Sequence, residues 1–180
     1  NYKVILTYDN KSFETKAIIR ANPLYDISKE QYQTYQRFMS SAAAIYREMT
    51  DMTNQLNEMN KKLKSLLSKM DSKQHDELLV MGNKLSQDLT AWDAIMAQRL
   101  SKAYDDVENF ENGFTAHYLY LINEADSSIP KITEGSKSRK VELEQEWARY
   151  KQNAENLLKG PIRAFNAACQ AQDVGVLFVK

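Results

Sequence analysis

SKEQYQTYQRFMSSAAAIYREMTDMTNQLNEMNKKLKSLLSKM, residues 28–70, sets an apolar residue at alternating spacings of three and four. The series runs Tyr35, Phe38, Ala42, Ile45, Met49, Met52, Leu56, Met59, Leu63, Leu66 and Met70. That is a heptad seam, the period at which a helix keeps one face against a neighbour. Neither glycine nor proline interrupts it. Ser28 followed by Gln31 is a capping box, which fixes where the helix begins. At the ordinary helical rise the element is roughly 65 Å long. Such a length fits a bundle or coiled coil and is too great for a compact globule.

Working outward, each flank carries shorter signals. Upstream, Tyr2, Val4, Leu6 and Tyr8 alternate, Asp9-Asn10-Lys11 turns, and Phe13, Thr15, Ala17 and Ile19 alternate again. The pattern predicts a β-hairpin, which is marginal alone and needs cover. Asn22-Pro23 turns the chain away from helix before the long element starts. Downstream, Asp71 with Gln74 predicts the cap of a second helix, whose apolar stripe is Leu78, Leu85, Leu89, Trp92 and Met96. A loop follows from Tyr104 to Gly113. A third helix carries Phe114, His117, Tyr118, Leu121, Ile122 and Ala125, and Ser127 to Pro130 breaks it. Thr133 is the N-cap of a fourth helix with Leu143, Trp147, Tyr150, Ala154, Leu157 and Leu158 on its apolar face. Gly160-Pro161 predicts a kink, with Ile162, Phe165 and Ala168 beyond it. Val174–Val179 is β-branched and apolar, as in a strand.

The predicted fold is therefore mainly α: an antiparallel bundle of about four helices with one very long first helix. A small hairpin and a C-terminal strand lie at one end, because four antiparallel passes return the chain to its starting end. Residues 1–22 form the hairpin unit and residues 23–180 the helical domain. The opening Asn1-Tyr2-Lys3 has no initiator methionine or signal peptide, which points to a piece of a longer protein.

Composition narrows function mainly by exclusion. Lysine plus arginine and aspartate plus glutamate each total 24 of 180 residues, so there is no basic excess to attract nucleic acid. No apolar run approaches the ~20 residues that insert into a bilayer. The single cysteine, Cys169, cannot form an intrachain disulfide and has no histidine near it in sequence, so it reads as a buried thiol. His75 and His117 match no metal-ligand spacing, and His117 reads as a packing residue beside Tyr118. Glycine-rich phosphate loops are missing. No cofactor or metal is expected. Asp105, Asp106, Glu108 and Glu111 do not fit a calcium loop and read as a solvated acidic segment. Glu142 and Glu146 share one helical face, the arrangement a paired-carboxylate mechanism would need.

The seam Met49, Met52, Leu56, Met59, Leu63, Leu66 and Met70 has two readings. It is either core covered by helices two and four, or an adaptable partner-binding groove rich in methionine. The second and third helices are each shorter than the first. Cover for the whole seam must then come from the fourth helix, a homodimer mate or a partner. Trp92 and Trp147 are the expected core anchors.

The order of hairpin, proline joint, long capped helix, short helices and Trp-bearing last helix resembles the C-terminal region of bacterial sortilin-like proteins. These carry β-propeller Asp-box repeats and are often labelled putative glycosyl hydrolases. Tyr2-Lys3-Val4-Ile5-Leu6-Thr7-Tyr8, Ala125-Asp126 through Pro130 and Thr133, Trp147, and Phe165-Asn166 carry the likeness. It covers essentially the whole chain and contains no catalytic motif. The resemblance implies export to the periplasm or surface of a Bacteroidetes-type cell. It also implies an appended helical accessory domain, spacer or interaction module, beside a propeller or an immunoglobulin-like domain whose last strands are residues 1–22. The alternative is a part of a glycoside hydrolase with acidic residues of the fourth helix lining its site.

Overall fold

The computed structural model describes residues 1–20, 22–24, 26–102 and 109–177. The chain is mainly helical with a long first helix and a two-stranded hairpin, as the periodicities predict. In the hairpin, β1 (Tyr2–Tyr8) pairs antiparallel with β2 (Lys11–Ala17), and Tyr8 faces Lys11. Asp9 and Asn10 both take positive φ, 46° and 59°. Two such residues make the tight turn whose twist matches that of the strands, and Asp and Asn tolerate it best after glycine.

Helix α1 (Lys29–Leu67) starts at the predicted capping box. The Gln31 backbone N–H donates to Ser28 Oγ at 3.2 Å, and the Ser28 N–H donates to Gln31 Oε1 at 2.8 Å. Helix α2 (Asp76–Met96) departs from expectation at its start. His75, not Asp71, is its N-cap, and the Asp71 carboxylate instead accepts from the Lys73 N–H inside the turn. Helix α3 spans Phe114–Asp126, and α4 spans Glu134–Lys159 with Thr133 capping the Ser136 N–H as predicted. Gly160 separates α4 from α5 (Pro161–Ala171), so the predicted kink is a break between two helices.

Cross-links between helices define how the chain runs. Asn60 on α1 bonds Ser86 and Thr90 on α2, and Tyr35, far down α1, bonds Asp126 at the end of α3. Partner numbers fall as α1 numbers rise, so α2 and α3 together make one antiparallel pass. Glu48 on α1 meets Trp147 and Lys151 on α4, and Leu67 and Phe165 of α5 converge on Gly82. Those numbers rise together, so α4 and α5 make one parallel pass. The long helix, about 58 Å by its 39 residues, is flanked by two passes each built from two helices in series.

Three passes, not four, correct the expected end-point of the chain. The reason lies at the α2–α3 joint, where the chain shifts sideways without reversing. Gly113 rests on the last turn of α2, and a Cβ there would lie 2.6 Å from the Met96 carbonyl oxygen and 2.7 Å from Ala97 backbone atoms. Thr115 Oγ1 donates to the Met96 carbonyl at 2.8 Å, pinning the joint. The C-terminal segment consequently arrives beside Leu66, at the opposite end of α1 from the hairpin. Val174–Leu177 joins no sheet. Asn166 brackets Leu177 instead, its amide donating to the Leu177 carbonyl and its oxygen accepting the Leu177 N–H, both at 2.7 Å. That pair of bonds supplies what a neighbouring strand would have supplied. Residues 178–180 lie outside the described residues.

The core runs the length of the bundle. Met49, Leu63, Met96, Tyr118, Leu143, Ala154, Ile162 and Phe165 are fully buried. Both tryptophans anchor it: Trp92 Nε1 donates to the Tyr150 carbonyl at 2.9 Å, and Trp147 Nε1 donates to Glu48 Oε2 at 3.1 Å. Asn60, Ser86 and Thr90 form a satisfied polar layer between α1 and α2, the kind of layer that fixes helix register. No buried side-chain polar atom among the described residues lacks a partner.

Candidate functional site

The residues singled out by the sequence that fall among the described ones can now be placed. Met49, Leu56, Met59 and Leu63 are buried, and Met52, Leu66 and Met70 are half-buried against the same core. The seam faces the chain's own helices, because serial pairs of short helices match the length of α1. Cys169 is fully buried, and that burial raises its thiol above the ordinary range, away from the reactive thiolate. His117 is exposed on α3, not packed into the core as expected, and His75 Nδ1 lies 3.0 Å from Gln172 Oε1. Asp105, Asp106 and Glu108 lie outside the described residues. No group of three or more metal-ligating side chains occurs among the described residues. No helix among the described residues is long and apolar enough to cross a membrane.

Apart from the half-buried Glu146, which has no ion pair among the described residues, the acidic residues of α4 are tied to neighbouring bases. Glu142 pairs with Arg139 at 3.0 Å on the exposed face. Glu144 binds Lys140 and accepts from the Tyr118 hydroxyl at 3.1 Å. Burial first, and then that carboxylate, push the Tyr118 phenol well above its usual range. On the neighbouring face, Glu48 accepts from Lys151 and from Trp147; the Lys151 bond chiefly holds its carboxyl below the usual carboxylate range. Tyr35, at the far end of α1, is pushed up to about 12 by burial and its bond to Asp126. These contacts pin α1, α3 and α4 together.

Two places among the described residues stand out from the core and the paired surface. The first is the hairpin. Tyr2, Val4, Leu6, Tyr8 and Phe13 share one face of the strand pair, since Val4 sits opposite Thr15 and Leu6 opposite Phe13. All five are about half to three-quarters exposed. Neither strand packs on any helix among the described residues. By ordinary side-chain sizes the face presents on the order of 500 Å² of exposed apolar surface, near the top of what a monomer carries without a partner. Among the described residues, no further strand pairs with either edge of the hairpin.

The second is a cleft of about 560 Å³ between α3 and the first turns of α4. Ala116, His117, Tyr120 and Glu124 line one wall, and Ser136 and Arg139 the other. His117, Tyr120 and Glu124 follow one another at spacings of three and four, a second stripe on α3 turned away from its buried face. The apolar stripe of α3 alone does not point to it. Its volume falls within the range of small-molecule sites, though its walls are largely solvent-exposed.

No protein-family model, no curated protein and no solved structure matches the chain.

Proposed function

We propose that the chain is a non-enzymatic helical module of a larger exported protein, a spacer joined to a neighbouring β-domain through its hairpin. One observation carries this reading. The bundle covers its own core from end to end, whereas the hairpin exposes the apolar face of a sheet on which nothing packs among the described residues. A two-stranded hairpin is marginal alone, and a second β-layer is the usual cover for such a face. The stretches Tyr2–Tyr8, Ala125–Pro130, Trp147 and Phe165-Asn166 support a sortilin-like parent with a β-propeller and an immunoglobulin-like neighbour. Export to a bacterial periplasm or cell surface belongs to the same proposal.

The test is amide hydrogen exchange on residues 2–17, with sedimentation equilibrium on the same sample. In the isolated monomer the hairpin amides should exchange within the dead time while α1 amides stay protected. In the natural full-length polypeptide the hairpin amides should become protected. Equal protection in both settings would defeat the reading. A stable dimer with a protected hairpin would make a second copy of the chain the partner instead.

A further inference from the structure

The helix surfaces around the cleft differ in how their charges are neutralised. On α4, Lys137 pairs with Glu134 at 2.6 Å and Arg139 with Glu142 at 3.0 Å. Lys140 pairs with Glu144 and also lies 5.7 Å from the centre of the Phe38 ring. The bases on this half of α4 are thus answered by acids of the same helix. Across the cleft, the Glu124 carboxylate has no cation within 4 Å among the described residues. Glu124 stands in the last turn of α3, where the helix dipole adds to its negative field. Tyr120, one turn before it and 65% exposed, lines the same wall, with its Cβ about 6 Å from that of Glu124. The α4 N-terminus opposite is quenched by its Thr133 cap and by Glu134 in its first turn.

We propose that this cleft binds an alkylammonium group, seated between the Tyr120 ring and the Glu124 carboxylate. The ring face attracts the cation through its quadrupole, and the carboxylate accepts the ammonium N–H. His117 lines the same wall, where a ring nitrogen can serve as a further acceptor. An anion is the poorer fit, since Arg139 is already engaged and the unanswered charge is negative. The head group belongs either to a free amine or to a lysine side chain of a partner.

The test is an NMR titration of the labelled chain with n-butylammonium, with Nα-acetyl-lysine methylamide and with inorganic phosphate, at constant ionic strength. The ammonium probes should shift residues 116–124 and 133–139 only. Glu124→Gln and Tyr120→Leu are both exposed changes, and each should weaken binding about threefold to fivefold. Gly135→Leu should abolish it by filling the cleft, because a Cβ there meets only Thr133 Oγ1, at 3.7 Å. An equal response to the two amines assigns the site to a free amine, and a preference for the lysine derivative assigns it to a partner chain. Shifts scattered over the acidic surface, shifts indifferent to Glu124→Gln, or a response to phosphate alone would overturn the proposal.

Discussion

The bundle and the hairpin are written in the same kind of pattern and meet different fates. Each is amphipathic at the period of its own structure, three-and-four on α1 and two on β1 and β2. On α1 the apolar stripe is buried by other parts of the chain, so that Met49 and Leu63 are fully covered. On the hairpin the stripe stays open, with Tyr8 75% exposed. Periodicity therefore reports which face wants cover and not who supplies it. A partner within the chain and a partner outside it leave the same mark on the sequence.

Three variants break or sharpen that contrast. The largest effect belongs to Leu56→Asp, which places an unpaired charge at a position 1% exposed. It should destabilise the bundle by about 3–5 kcal/mol in urea unfolding followed by circular dichroism. Melting like that of the unsubstituted chain would mean the seam is open after all. Next comes Gly113→Ala, which drives a Cβ into the backbone at the end of α2. Backbone yields less readily than a side-chain end, so about 2 kcal/mol should be lost in the same assay. An unchanged midpoint would remove the joint that makes α2 and α3 one pass. The smallest effect is expected from the double change Leu6→Ser with Phe13→Ser on the open face. It should move bundle stability by less than about 0.5 kcal/mol, since neither residue touches a helix. A larger loss would show that the hairpin packs on the bundle in solution.

How much was legible follows from where the information sits. The capping box at Ser28 and Gln31, the Thr133 cap, the Gly160-Pro161 break and the two tryptophan anchors are local signals, and the structure repeats them. The direction of α3 is not local. It depends on Gly113 meeting Met96 and Ala97 across 15 residues or more of intervening chain, and a glycine in a loop is usually read only as a turn. From that one misread direction came the misplaced C-terminal strand. Asp71 was a reasonable cap by residue type, but its carboxylate was taken up by Lys73 before the helix began. The cleft stayed hidden because its stripe, His117, Tyr120 and Glu124, mixes an aromatic with charge and so scores as ordinary surface. The charge pairing that sets Glu124 apart requires knowing which bases α4 has already satisfied.

The odd number of passes has a mechanical consequence. Lys29 and Ala171 lie towards opposite ends of a rod about 58 Å long. Tension applied between them runs along the helix axes, so α1 must slide past α4 and α5 with many side-chain contacts yielding together. An even number of passes would have put both attachment points at one end, where the same tension peels contacts apart one by one. The three-pass arrangement loads the bundle in shear along its length.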